Sequence, residues 1–248
     1  MSNSFRVVIP VRYASSRLPG KPLLTFQHKP IIEHVYQNAC ESNAESVLIA
    51  TDDERIAEAA IKFDAQVCMT SSDHMSGTDR ITEAVEQQGW ADDEVIVNVQ
   101  GDEPQMPAAN IKQVADLLLK NTNAMIGTLC QRIQTIQEYD DPNVVKVTKN
   151  SKGRALYFSR SSLPFIRNVD VKVLKENHVF RHVGIYAYRV RYLKQFIKMS
   201  PSPLEMIEKL EQLRALENGD EIIIDECLEY PGIGVDTMDD YHRLKINN

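Results

Sequence analysis

The sequence predicts an α/β protein: an open, mostly parallel (mixed) sheet with helices on both faces. Three observations predict it. Short, β-branched apolar runs alternate with stretches of helical period over residues 5–118. After about residue 124 the alternation gives way to consecutive strand-like runs, which turns a parallel sheet into a mixed one. The chain has 248 residues, 43% hydrophobic and 25% charged, enough to bury the core of one large domain.

The run FRVVIP at 5–10 reads as the first buried strand, followed by a basic loop over 11–22. Pro30 opens a helix through Ile31, Val35 and the Ile32/Tyr36 pair. SVLIAT at 46–51 is the second strand. Asp52 or Asp53 then caps a helix reaching about residue 63, with Ile56, Ala59 and Ala60 inward. Residues 66–70 form a short third strand. A helix over 78–88 faces inward through Ile81, Ala84 and Val85. EVIVNVQ at 94–100 is the clearest strand, and Pro107 starts a helix through Ile111, Val114 and Leu118. Strands follow at 124–132, 144–149, 154–159 and 182–190. The stretch 161–180 fits no element and reads as an inserted arm. Helices return at 205–217 and 239–245. The organisation is one domain over 1–248, with a mixed-sheet extension and arm over about 124–200.

Composition excludes several function classes. Lys+Arg total 28 against Asp+Glu 35, a net charge of −7, which argues against a nucleic-acid binder. Cys40, Cys68, Cys130 and Cys227 form no C-x-x-C pair and read as reduced thiols. There is no signal-like start and no apolar run of about 18 residues, so no membrane span. A cytoplasmic protein is expected.

Ligands of open α/β sheets bind beyond the carboxyl ends of the strands. The loop after the first strand, RYASSRLPGKP at 12–22, concentrates Arg12, Arg17 and Lys21, with Ser15 and Gly20 between them. Guanidinium forks and backbone donors suit polyphosphate oxygens. A solvated basic turn has the same composition, and the position after the strand favours phosphate. The spacing is neither a Walker loop nor a dinucleotide turn.

After the clearest strand come Gln100, Gly101, Asp102 and Glu103. Gln100 suits a base or sugar edge, and the carboxylates suit Mg²⁺ bridging phosphates. An ordinary acidic turn reads the same way. Asp236, in GIGVDT at 232–237, offers a second carboxylate for that ion, or else Asp236 or Thr237 caps the last helix. In RHVGIYAY at 181–188, His182, Gly184, Tyr186 and Tyr188 share one strand face, which fits a polar pocket or a core His–Tyr pair. Neither H-E-x-x-H nor G-x-S-x-G occurs.

Taken together these segments resemble the CMP-KDO synthetases (3-deoxy-manno-octulosonate cytidylyltransferases) of the sugar nucleotidyltransferase superfamily, over nearly the whole chain. The resemblance rests on RYASSRLPGKP at 12–22, ATDD at 50–53, SGTDR at 76–80 and VNVQGDEP at 97–104. It continues in ALYFSR at 155–160, RHVGIY at 181–186, SPLE at 202–205, LEQLR at 210–214 and GVDT at 234–237. Val11 replaces a usual Ala and Ser16 a common Thr, with no change of charge.

The resemblance implies a Rossmann-like nucleotide-diphospho-sugar transferase fold with a dimerisation arm. It implies transfer of CMP from CTP to the anomeric 2-hydroxyl of 3-deoxy-D-manno-oct-2-ulosonate (KDO), giving CMP-KDO for lipopolysaccharide and pyrophosphate. Arg12, Ser15, Arg17 and Lys21 would hold the CTP phosphates. Gln100 and the 76–80 segment, with Ser76 and Arg80, would bind the nucleotide. Asp102 and Asp236 would bind Mg²⁺, and Lys21, Asp102 and Asp236 would be catalytic. Arg160, His182, Tyr186, Glu211 and Gln212 would contact the sugar acid, in a homodimer. The rivals are an 8-amino-KDO or sialic-acid cytidylyltransferase and a non-catalytic nucleotide-binding module. The module is disfavoured because Lys21, Asp102 and Asp236 are all present.

Overall fold

The protein is described by a computed structural model covering residues 4–246, except 16, 168, 169, 171, 173 and 175–178. The chain runs β1 (Phe5–Val11), β2 (Thr25–Phe26), β3 (Lys29–Pro30), α1 (Ile31–Cys40), β4 (Ser46–Thr51) and α2 (Glu54–Ile61). It continues through β5 (Gln66–Met69), α3 (Gly77–Gln88), β6 (Val95–Asn98), α4 (Ala108–Lys120), β7 (Ile126–Arg132), α5 (Ile136–Asp140), β8 (Lys146–Lys149) and β9 (Ala155–Ser159). Then come β10 (Phe180–Arg189), α6 (Val190–Phe196), α7 (Pro203–Glu208), α8 (Gln212–Glu217), β11 (Ile222–Glu226) and α9 (Met238–Ile246).

The main sheet has the order β11-β7-β10-β6-β1-β4-β5, with β8 pairing β10 and β9 pairing β8. β1 lies parallel to β4 and β6, and β4 parallel to β5. β10 is antiparallel to β6, β7 and β8, so the sheet is mixed, as its change of sequence pattern predicts. Successive strand residues face opposite sides. Val7 and Ile9 therefore pack with Ile31, Ile32, Ile111 and Val114 of α1 and α4. Val8 packs on the other face with Ile81 and Val85 of α3 and Leu193 of α6. Two covered faces explain why β1 is apolar from Val7 to Val11 rather than alternating.

Local chemistry sets the helix ends. Asp53 caps α2 by accepting from the Arg55 N–H at 3.0 Å, while Asp52 pairs with Arg80 instead. Ser76 and Asp79 form a reciprocal capping box at the start of α3.

Three expectations need correction. The single helix expected over 205–217 is two short ones. Lys209 takes a left-handed conformation (φ 55°), ends α7 and turns Leu210 into the core. β11 carries only three apolar residues and was not expected as a strand; pairing with β7 buries Ile222, Ile223 and Ile224. The last expected strand ends at Arg189, and the chain passes directly into α6. The arm expected over 161–180 falls partly outside the described residues.

Candidate active site

A cleft of about 260 Å³ opens at the carboxyl ends of β1 and β6. Arg12, Ser15, Arg17 and Lys21 line one side. Ser76, Arg80 and Gln100 also line the cleft, together with Asp102 and Asp236. All the residues expected to handle nucleotide or metal thus meet in one place.

The basic loop is folded on itself. The Gly20 and Ser15 N–H groups both donate to the Tyr13 carbonyl, at 2.9 and 3.0 Å. Gly20 is left-handed (φ 72°), and a Cβ there would lie 3.0 Å from the Tyr13 ring. That turn delivers Lys21 to the first position of a short 3-10 segment, pointing back across β1.

The Q-G-D turn after β6 is pressed onto β1. A Cβ on Gly101 would lie 2.8 Å from Val11 Cγ2, so the backbone approach needs glycine. The Val235 N–H donates to the Asp102 carbonyl at 2.8 Å, which brings the 232–237 segment alongside. Thr237 and Asp240 cap α9 between themselves. The cap is therefore Thr237, and the Asp236 carboxylate is left to face the cleft.

Lys21 joins these segments. Its ammonium donates to the Asp102 carboxylate and, at 3.1 Å, to Asp236 Oδ1. Arg17 reaches the same Asp236 oxygen at 3.0 Å. Burial pulls the Lys21 pKa down, but the two carboxylates outweigh it and raise it above the ordinary lysine value.

The geometry also fits Mg²⁺. Two carboxylates from separate loops converge on one cationic point, and Mg²⁺ ordinarily takes one or two carboxylates plus substrate phosphates and water. Among the described residues no cluster of three or more acidic, His or Cys side chains forms a full cage. Phosphate oxygens and water would complete the coordination.

Arg80 lines the cleft but is committed. Its guanidinium bonds Asp52 at 3.1 Å and Thr70 Oγ1 at 2.5 Å, and its side chain is only 4% exposed. It ties the end of β4 to α3.

The residues expected to take the acceptor form a second group. Their shared strand face is confirmed: the His182 and Tyr186 rings are 5.2 Å apart, and Tyr186 and Tyr188 stack at 5.6 Å. The pairing with β7 is irregular between Val183 and Tyr186, yet three steps on β10 match one on β7, so parity survives. His182 Nε2 shares a 2.9 Å hydrogen bond with the Thr128 hydroxyl, and its ring meets Phe158 edge-on. Burial, with the Arg181 charge, lowers the His182 pKa to about 3. Burial, with the Glu211 carboxylate, pushes Tyr186 well above the usual phenol range.

Glu211 links the two groups. It accepts from Thr78 Oγ1 at 2.6 Å, at the start of the helix that Ser76 caps, and burial raises its pKa. Gln212 follows as the first residue of α8. The Arg160 guanidinium donates to the carbonyls of Glu208, Pro142 and Lys209 and so ties the end of β9 to the α7–α8 turn.

Sequence reasoning did not single out Thr128 or the Asp52–Arg80 pair, because nothing local marks a strand threonine or a cross-element ion pair. Glu103, noted beside Asp102, turns inward. Burial and the Asp102 charge raise its pKa to about 8, partly offset by Arg181.

Comparison with known proteins agrees with this arrangement. The family model described as Cytidylyltransferase matches residues 6–222. A 3-deoxy-manno-octulosonate cytidylyltransferase of Thioalkalivibrio sulfidiphilus is 49% identical, over 98% of each chain. Its namesake in Haemophilus influenzae is 47% identical, over 98% of this chain and 97% of that one. The solved structure of CMP:2-keto-3-deoxy-manno-octonic acid synthetase complexed with CTP superposes with a TM-score of 0.90 at 38% identity, covering 98% of both chains. A cytidylyltransferase from Leptospira borgpetersenii shares the fold alone, at a TM-score of 0.64 and 17% identity, over 99% of this chain and 86% of that one.

Proposed function

The chain belongs to the cytidylyltransferase family, and from that premise we propose that it joins CTP to 3-deoxy-manno-octulosonate, giving CMP-KDO and pyrophosphate. The observation that carries this reading is the single cleft in which Lys21, Arg17 and Arg12 face Asp102 and Asp236. Relatives bearing the KDO name match across nearly the full chain, and they support this acceptor over sialic acid or 8-amino-KDO.

The triphosphate lies along the Arg12–Lys21 loop. Ser15 contributes a hydroxyl, Ser76 and Gln100 hold the nucleoside, and Arg80 supports the α3 edge of the pocket. The acceptor lies toward β10, where Tyr186 and neutral His182 shape the pocket and Glu211 and Gln212 accept and donate to hydroxyls. Arg160 contributes by fixing the turn that presents Glu211. The anomeric 2-hydroxyl attacks the α-phosphorus, the bond to the β-phosphate oxygen breaks, and pyrophosphate departs. Arg12, Arg17 and Lys21 neutralise the charge that grows on the departing oxygens. Asp102 and Asp236 would hold Mg²⁺, whose charge steadies the phosphates and acidifies the attacking hydroxyl.

In this reading the protein works in the cytoplasm as a homodimer and feeds lipopolysaccharide assembly. All four cysteines are free thiols, and no helix among the described residues is long and apolar enough to cross a membrane. Pyrophosphate release from CTP tests the reading, with KDO, sialic acid, 8-amino-KDO or no acceptor. Release with KDO alone is the expected result. Preference for another acceptor changes the substrate, and CTP binding without release under any condition makes the protein a nucleotide-binding module.

A further inference from the structure

We propose that Met75 is the platform on which the pyrimidine ring of the nucleotide rests, and that His74 and Glu83 hold it in position. The inference rests on the CTP reading above and adds a residue to it.

The cleft is polarised. Its cations Arg12, Arg17 and Lys21 all come from the loop after β1, with Lys21 paired to Asp102 and Asp236 and the exposed Arg17 to Asp236. A triphosphate belongs there. On the opposite wall the one cation, Arg80, is already neutralised by Asp52. The uncharged base therefore lies toward that wall, among Met75, Ser76, Gly77 and Gln100.

A pyrimidine needs an edge partner and a face partner. Gln100 supplies an amide for the edge. The apolar lining residues are Pro10, Val11, Pro22 and Met75. Val11 is buried beneath Gly101, and Pro22 is buried in its 3-10 segment. Pro10 is buried and covered by the start of α3, where a Cβ on Gly77 would stand 3.5 Å from its ring. Met75 is 87% exposed, and among the described residues it is the one large apolar side chain of the cleft free to meet a ring. A thioether is flexible and polarizable, and sulfur–aromatic contact is favourable.

The backbone around Met75 is held while its side chain is free. Glu83, on α3, accepts from the Ser71 N–H at 2.8 Å, from His74 Nε2 and from Gln87 Nε2 at 2.9 Å. On the other side Ser76 is fixed as the cap of α3. The loop is clamped immediately before and after Met75, so the platform is placed before the nucleotide arrives. Contact with the ring face is indifferent to which pyrimidine is bound, so the platform supplies affinity and leaves discrimination to groups at the base edge.

Calorimetric titration with CTP and with ribose 5-triphosphate, which lacks the base, tests this. Met75→Ala is expected to weaken CTP about three- to tenfold and leave ribose 5-triphosphate unchanged. Met75→Leu restores most of the loss. His74→Ala produces the same selective loss, and combined with Met75→Ala adds nothing further. Equal weakening of both ligands, or no weakening of CTP, overturns the proposal. If the wild-type protein binds CTP no more tightly than ribose 5-triphosphate, the nucleotide reading falls with it. If the wild type prefers CTP and Met75→Ala keeps that preference, only the platform is wrong.

Discussion

Lys21 stands between Asp102 and Asp236 and donates to both, one from the turn after β6 and the other from the segment before α9. One ammonium thus sets the separation of two acids that lie far apart in sequence. Replacing it removes the proposed phosphate ligand and leaves two carboxylates facing each other. Lys21→Ala is expected to lower kcat/KM for CTP by about 10²–10³, the usual loss for one charge-stabilising donor. Steady-state rates at saturating KDO check this.

Asp102→Asn keeps the shape of the turn and removes one of the two charges on the cation point. The variant should need a far higher Mg²⁺ concentration for half-maximal rate. Chelation should stop the wild type, and added Mg²⁺ should restore it. An unaltered Mg²⁺ titration in the variant would remove Asp102 from the metal site.

Gly101 lets the Q-G-D turn touch β1, where a Cβ would lie 2.8 Å from Val11 Cγ2 and 3.3 Å from the Pro10 carbonyl oxygen. Gly101→Ala forces that turn outward. The expected cost is about 1–3 kcal/mol of stability, typical of an overpacked contact. Urea unfolding measures it. Because Asp102 is the next residue, the rate should fall more than stability alone explains.

His182 is kept neutral, its pKa brought from 6.5 down to about 3 by burial and the Arg181 charge. Below pH 6.5 the unfolded chain takes up a proton that the native chain refuses. Its contribution to stability is therefore intact above that value and is lost progressively as pH falls toward 3. His182→Gln should flatten the pH dependence of the urea midpoint between pH 7 and 5. An unchanged slope would mean that His182 titrates near its ordinary value.

The legible parts of the sequence are those set by local chemistry. Runs such as FRVVIP and EVIVNVQ reveal strands because both sheet faces are covered, and RYASSRLPGK at 12–21 reads as a phosphate loop because three cations surround one turn. Asp102 was legible as an acid at a strand end and Asp236 as an acid just before the last helix, but their convergence on Lys21 is a product of topology. Arg160 shows the limit. The resemblance alone points to it, and nothing local signals the carbonyls of Glu208 and Lys209, nearly fifty residues away, to which it donates. The 205–217 run reads as one helix because nothing in its pattern signals that Lys209 turns left-handed.

Arg80 separates a contact role from a positioning role. The resemblance gives Arg80 as a nucleotide-binding residue, and here its guanidinium is held by Asp52 and Thr70 and is almost fully buried. If Arg80 touched the phosphates, Asp52→Asn would release its charge and tighten CTP binding. If Arg80 holds α3 and Ser76 in place, Asp52→Asn and Arg80→Gln should weaken CTP together. Breaking one side of a buried pair also destabilises the fold, by about 3–5 kcal/mol where the remaining charge stays buried. The two substitutions should couple in a double-mutant cycle by about 0.5–3 kcal/mol, since each removes the same contact. Parallel loss of CTP affinity with strong coupling is the expected outcome. Tighter binding in Asp52→Asn would instead place Arg80 on the phosphates.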